Sequence, residues 1–185
     1  MPYYFALLLL SLVLLVELLL LIISVSYLLF LFWGAPYVPS RPKHASLILQ
    51  ELNLKQNKTF LDLGCGDGYI VRQAVKKYKV KGVGVDINPV LIFYAKLAAR
   101  LAGMRAWANF KNQNVFRAEI GSADYIYLYL LPTLLKKLTA KLERETKPGA
   151  IIISNSFQIK GWEKRLYKTI PLGKNSAYFY KIKHV

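Results

Sequence analysis

The sequence is poor in cysteine, histidine and acid, and each shortage excludes something. One cysteine, Cys65, rules out an intramolecular disulfide. The two histidines, His44 and His184, stand at opposite ends of the region after the apolar N-terminus and form no cluster of metal-ligating side chains, so no metal is expected. Only 10 Asp and Glu face 26 Lys and Arg, a net charge of +16. No basic residue precedes Arg41, and between Phe5 and Trp33 the sole charge is Glu17. A cleaved signal peptide needs a basic start, a shorter apolar core and small residues at a cleavage point; Met-Pro-Tyr-Tyr offers no basic side chain and the apolar run is far too long.

What stands there instead is a 29-residue apolar run. At about 1.5 Å per residue it exceeds the roughly 30 Å hydrocarbon core of a bilayer. Residues 1–33 are therefore expected to form one transmembrane helix. Tyr3, Tyr4 and Phe5 at one end, and Phe30, Phe32, Trp33 and Tyr37 at the other, suit the aromatic belts of the two interfaces. Arg41, Lys43, Lys55 and Lys58 follow the run and nothing basic precedes it, which by the positive-inside rule puts the C-terminal domain in the cytoplasm. Glu17, mid-span, costs about 2.5–3.5 kcal/mol on insertion scales. Two readings meet that cost: a polar contact with a partner's membrane helix, or protonation. Because Glu17 is the only charge before residue 34, the remaining chain carries +17. Such a surface seeks anions; beside a tether these are the lipids of the anionic leaflet, with nucleic acid as the rival partner.

The chain is organised around residues 60–69, FLDLGCGDGY. Phe60, Leu61 and Leu63 suit a buried parallel strand, and Gly64, Gly66 and Gly68 let the backbone turn sharply and bring its N–H groups close to a ligand. Ile70, Val71, Ala74, Val75 and Tyr78 then recur at helical spacing, so the loop opens onto a helix N-terminus. A second short strand, 83–85, ends in Asp86, a carboxylate placed to accept the ribose hydroxyls of a nucleoside. A nicotinamide dinucleotide would want G-x-G-x-x-G; here the glycines fall as G-x-G-x-G and Tyr69 takes the third place, which argues against NAD. Cys65 has no basic partner nearby in sequence and reads as a small packing residue.

The rest of the chain alternates helix and strand. Residues 34–41 form a proline-punctuated linker in which Ser40 can cap a helix with Pro42 in its first turn, its apolar side formed by Leu47, Ile48 and Leu52. Asn88 is placed to cap a helix with Pro89 at its first position, running through Leu91, Tyr94, Ala95, Ala98 and Leu101 to Gly103. Strands are expected at 106–110, 125–130 and 150–154, and an antiparallel last strand at 177–182. Pro132 opens a helix with Leu134, Leu135, Leu138 and Leu142 on one face. Between the third strand and Phe116, Asn114 can receive an adenine amino group. The expectation is an α/β domain over 42–185 with a Rossmann-like, doubly wound and mostly parallel sheet, its ligand at the carboxyl ends of the strands.

The pair LDLGCGDG and VGVDINP resembles the class I S-adenosylmethionine-dependent methyltransferases. With PYVPS before the first helix, DYIYLYLLP at the fourth strand, KLERETKPGAIIISNSFQIKGW around the fifth and a terminal YFYKI, the chain is similar to the small protein lysine methyltransferases. These comprise a broad-specificity archaeal enzyme and the ATP synthase c-subunit lysine methyltransferases. The resemblance covers about residues 36–182. It implies S-adenosylmethionine as cofactor, Tyr37 and Ser40 as a motif that closes over it, and Asp62, Gly64, Gly66 and Gly68 as the methionine-binding loop. It also implies Asp86 and Ile87 at the ribose and Asn114 at the adenine. Tyr69 stands where such enzymes commonly have Arg, and Asn155-Ser156 stands where the archaeal enzyme has His-Glu.

Methyl transfer to an amine is an in-line displacement, so such a site mainly has to align nucleophile and methyl group. An apolar channel helps a lysine shed its proton. Leu130, Leu131, Pro132, Phe157, Trp162 and Tyr37 are the wall candidates. The expected substrate is a protein, and a membrane-associated one given the span; the expected state is a monomer. The rivals are a lipid or quinone methyltransferase, a nucleic-acid methyltransferase, and a binding module without turnover. Against a DNA amino-methyltransferase, the fourth strand leads into Tyr129-Leu-Leu-Pro132 rather than a polar residue followed by Pro-Pro and an aromatic.

Overall fold

A computed structural model describes residues 2–33 and 38–182. The side chains of Phe30, Phe32 and Trp33, and all of Tyr37 and His184, lie outside the described residues. The chain divides into two compact units, residues 1–36 and 37–185.

The first unit holds a single helix, α1 (Pro2–Trp33). Its Tyr3–Val25 segment has a mean hydropathy of 3.1 and is unburied, and by length and composition it could cross a bilayer.

The second unit begins with α2 (Pro42–Glu51). Then follow β1 (Thr59–Leu63), α3 (Tyr69–Tyr78), β2 (Lys81–Asp86), α4 (Pro89–Leu101), β3 (Ala108–Asn112), β4 (Tyr125–Leu128), α5 (Pro132–Glu145), β5 (Ile151–Asn155), β6 (Leu166–Leu172) and β7 (Asn175–Lys181). The seven strands form one sheet in the order β3-β2-β1-β4-β5-β7-β6. The first five are parallel, and β7 runs antiparallel to both β5 and β6. Strand order reverses between β1 and β4, so a crevice opens at their carboxyl ends, where open α/β sheets bind ligands.

Alternation along β1 divides the core. Leu61 and Leu63 pack with Ile126, Ile152 and the α5 leucines Leu135, Leu138 and Leu142 on one face. Phe60 packs with Ile48, Val71, Ile92 and Tyr127 on the other. Asp62 shares the Phe60 face by the two-residue period of a strand, opposite Tyr127 in register.

Local chemistry sets the helix starts. Asn88 caps α4, its side chain accepting from Val90 N at 2.9 Å and Leu91 N at 3.2 Å, with Pro89 at the first helical position. For α2 the expected Ser40 cap does not form: Arg41 is the N-cap residue and provides no side-chain bond. Pro42 at the first position removes one of the free amides a cap would have served. The buried side of α2 is Ala45, Ile48 and Leu49 rather than Leu47, which is exposed. In α4 the inward residues are Ile92, Ala95 and Ala99, while Tyr94 and Leu101 point outward.

Four strands shift by one or two residues from the expectation, to 81–86, 108–112, 125–128 and 151–155, and the final strand starts earlier, at Asn175. One strand goes unanticipated, β6. Paired only with β7, it alternates between half-buried and exposed as far as the buried Leu172 at its end. Its Pro171 is the kind of residue an edge strand tolerates.

Candidate functional site

The turn after β1 is built from left-handed backbone: φ is 85° at Gly64, 52° at Gly66 and 70° at Gly68. Two of the three positions are also sterically closed to a side chain. A Cβ on Gly64 would lie 2.7 Å from Leu130 Cδ2, and one on Gly68 would lie 2.3 Å from Phe110 Cε1 and 2.9 Å from Ala95 Cβ.

The turn is tied to the tip of β2. The Gly64 and Cys65 amides both donate to Val85 O, at 2.8 and 3.0 Å. Asp86 joins two elements: Oδ2 accepts from Gly66 N at 2.8 Å and Oδ1 accepts from Asn88 N at 2.9 Å. One carboxylate thus fixes the glycine turn and the start of α4. A carboxylate oxygen has two lone-pair sites, so each keeps acceptor capacity for a ligand hydroxyl. Asp67 closes the turn on the other side, its Oδ1 accepting from Tyr69 N at 3.0 Å while Arg72 bonds the Asp67 carbonyl. Asn112, absent from the sequence candidates, donates its Nδ2 to the Ile87 carbonyl at 2.8 Å and to that of Asp86 at 3.2 Å. Its place at the end of β3, next in the sheet to β2, is the signal that could have found it.

Asp62 sits at the floor of this arrangement, 2% exposed, with Oδ1 lacking any hydrogen-bond partner among the described residues. Burial, with Asp86 and Asp67 adding like charge, holds its carboxyl well above the usual range. An unpartnered buried carboxylate oxygen is costly alone and fits a cationic group such as an amino acid's ammonium. Together with the left-handed glycine turn that leads into the α3 N-terminus, it matches what S-adenosylmethionine presents at its methionine end. Cys65 is buried, and burial pushes its thiol up, away from nucleophile behaviour.

A second polar group lies on the Asp62 face. Tyr127, stacked on Phe60 with ring centroids 6.4 Å apart, is fully buried; its hydroxyl accepts from Asn155 Nδ2 at 2.9 Å, with the Ser40 side chain beside it. Burial pushes the Tyr127 hydroxyl up, so it stays protonated. Ser156 follows in left-handed backbone, φ 72°, with its amide bonded to Ser176 O at 2.9 Å and its hydroxyl to Asn155 Oδ1 at 3.2 Å. Ser40, Tyr127 and Asn155-Ser156, distant in sequence, meet here. No periodicity in the sequence announces Tyr127, whose neighbours in the run are equally apolar.

The remaining sequence candidates divide. Ile87 is exposed beside Asp86. Asn114 is exposed and its Oδ1 accepts from Phe116 N at 3.0 Å, capping a short 3-10 turn. Leu130 touches the glycine turn, as its approach to Gly64 requires, and Phe157 is half-buried. Pro132 is exposed at the first position of α5. Trp162, expected as a channel wall, is instead a core residue: it is 1% exposed, donates Nε1 to Glu143 Oε1 at 2.9 Å, lies edge-on to Tyr180 and is covered by the Arg165 guanidinium. It belongs to the α5-side core, because an indole with a satisfied N–H is most stable enclosed.

Comparison with known proteins agrees with this geometry. Residues 62–165 match the family model of the ANTKMT methyltransferase domain. The chain is 34% identical over 150 residues to a protein-lysine N-methyltransferase of Saccharolobus islandicus (strain REY15A), covering 80% of this chain and 93% of that one. It is 28% identical over 127 residues to the ATP synthase c-subunit lysine N-methyltransferase of Homo sapiens, covering 69% of this chain and 54% of that protein, so it spans about half of that relative's length. A crystal structure of an RNA methyltransferase from Salinibacter ruber in complex with S-adenosyl-L-homocysteine superposes with a TM-score of 0.77 at 30% identity, covering 80% of this chain and 95% of that one. The glycine turn, the acid at the tip of β2, the sheet order and these matches lead to one assignment: the chain belongs to the ANTKMT methyltransferase domain family and is a class I S-adenosylmethionine-dependent methyltransferase.

Proposed function

We propose that this protein is a protein-lysine N-methyltransferase, anchored in a membrane by α1 with its catalytic domain on the cytoplasmic side, that modifies a membrane-associated protein. The observation that carries the chemistry is the 34% identity extending over 93% of a protein-lysine N-methyltransferase. The apolar α1 and the basic residues that follow it support the location. A tether raises the effective concentration of membrane-bound substrates.

S-adenosylmethionine supplies, when bound, a methyl group on an electrophilic sulfonium. In this reading Asp62 holds the methionine ammonium, and the Gly64, Gly66 and Gly68 turn accepts the methionine portion. Asp86 and Ile87 hold the ribose, Asn114 the adenine, and Tyr37 with Ser40 close the site. Leu130, Pro132 and Phe157 give the acceptor an apolar approach in which a neutral amine is favoured over an ammonium. Alignment then does most of the catalytic work, and no strong base has to be built in.

RNA methylation is the second reading, favoured by the Salinibacter ruber neighbour and by the +16 charge. One experiment separates the two. Membranes from cells lacking the protein are incubated with the enzyme and methyl-labelled S-adenosylmethionine, then fractionated. Label in protein that hydrolyses to methyl-lysine supports the proposal; label confined to RNA or lipid overturns it. Carbonate extraction and protease protection in sealed vesicles test anchoring and sidedness.

A further inference from the structure

Helix α4 carries an apolar stripe on its outside. Val90, Phe93, Tyr94, Leu97 and Leu101 are exposed by 72, 69, 53, 43 and 80%. Their spacing of three and four residues puts them on one helical face, opposite the buried Ile92, Ala95 and Ala99. The outer face of α5 is ordinary by comparison, with Lys136, Lys137 and Arg144 exposed. A contiguous apolar face of this kind marks an interaction surface.

Charge identifies the partner. From Ile87 to Ala118 there is no Asp or Glu, while Lys96, Arg100, Arg105, Lys111 and Arg117 are all exposed. None of these five forms an ion pair among the described residues. Trp107, half-exposed just past the end of α4, adds an amphipathic ring of the type that favours a membrane–water interface. A helix with aromatic and leucine side chains on one face, and with Lys and Arg but no acid beside them, has the composition of one that lies in the plane of a membrane. A second copy of this chain fits poorly, since pairing α4 with α4 would bring the uncompensated cations together.

We propose that the outer face of α4 docks into the interface of an anionic bilayer, Phe93, Leu97 and Leu101 entering the boundary between headgroups and acyl chains and Lys96 and Arg100 engaging lipid phosphates. This docking deepens the anchored reading and rests on it in one respect, that the tether keeps the domain within reach of a membrane. Because α4 begins at Pro89, three residues beyond Asp86, the docked helix would hold the cofactor end of the sheet close to the membrane surface.

The test uses the full chain in phosphatidylcholine vesicles with and without phosphatidylglycerol. A nitroxide is attached at Leu97→Cys, with Lys137→Cys on α5 as control; the buried Cys65 stays unlabelled. Power saturation compares relaxation by oxygen, which concentrates in the bilayer, with relaxation by a water-soluble nickel chelate. The expected result is at least a threefold higher oxygen-to-nickel ratio at position 97 than at 137 in anionic vesicles, falling when phosphatidylglycerol is omitted. Equal ratios at the two positions overturn the proposal. So does low accessibility of position 97 to both reagents, which means protein covers it; dipolar broadening between labels then identifies a second copy. Carbonate release of the chain refutes the span alone, because an oxygen excess at position 97 supports docking whether or not α1 is inserted.

Discussion

Replacing Asp62 by Asn is expected to stabilise the free protein and at the same time to damage cofactor binding. The carboxylate is 2% exposed, and one oxygen has no partner. Leaving a buried polar group unsatisfied costs about 1–3 kcal/mol, and more when the group is charged. Asn keeps the shape and removes the charge. For a domain of this size each kcal/mol moves the melting temperature by about 2–4 °C, so a gain of roughly 2–12 °C at neutral pH is expected without cofactor. The pH dependence has a definite sign. Below about pH 4 both folded and unfolded Asp62 hold a proton, and the wild type suffers no penalty. As pH rises from there to the raised folded pKa, the unfolded chain ionises first, and the wild type loses stability relative to the variant. Above that folded pKa the gap is constant. With cofactor the order reverses: losing a charge-assisted bond to the methionine ammonium costs about 1.5–3 kcal/mol, roughly 10- to 150-fold in Kd. Scanning calorimetry and titration calorimetry on the detergent-solubilised chain measure both halves. A variant that melts below the wild type without cofactor, or that binds S-adenosylmethionine equally well, would refute the reasoning.

Three further outcomes are expected. Asp86→Ala loses ribose acceptors and also frees the Gly66 and Asn88 amides, so the cofactor Kd should rise by at least tenfold in calorimetry; an unchanged Kd removes Asp86 from the site. Tyr127→Phe keeps the stacking on Phe60 but orphans the Asn155 amide, at a cost of about 1–3 kcal/mol by chemical denaturation. Ser40→Ala added to it should cost less than Ser40→Ala alone, whereas strict additivity would mean the two do not interact. Gly68→Ala combines left-handed backbone with a collision against Phe110, together about 2–5 kcal/mol, and should lower the melting temperature more than Gly103→Ala, where φ is also positive but no atom lies within 4 Å.

The portion of the fold most legible in the sequence was the portion governed by local chemistry. The β1 turn and the Asn88-Pro89 helix start are written in residues whose backbone preferences are strong and adjacent, and the structure has both. The local geometry of the candidate site was legible where it consists of such residues, at the glycine turn and at Asp86. It was not where side chains far apart in sequence meet. Ser40 reads as a helix cap because Pro42 follows, yet its side chain lies beside Tyr127, on a strand far along the chain. Trp162 reads as a channel wall until Glu143 and Tyr180 are seen to enclose it. In α4 the outward face is as apolar as the inward one, and the hydrophobic period then cannot say which side is the core. The edge strand β6 carried little signal, since one-sided pairing needs little apolar alternation.

The position of β7 sets the order in which this protein can be made. The seventh strand, Asn175–Lys181, is not at the edge of the sheet but is inserted between β5 and β6. Until those residues leave the ribosome, β5 has an open edge and β6 has nothing to pair with. The apolar α1 is synthesised well before, whereas the catalytic domain closes only once β7 has emerged. Domains generally fold as units when their sequence is complete. A nonsense mutation or frameshift between the end of β5 and residue 175 therefore leaves an unclosed sheet with a bare strand edge, a species for quality-control proteases rather than a shortened enzyme.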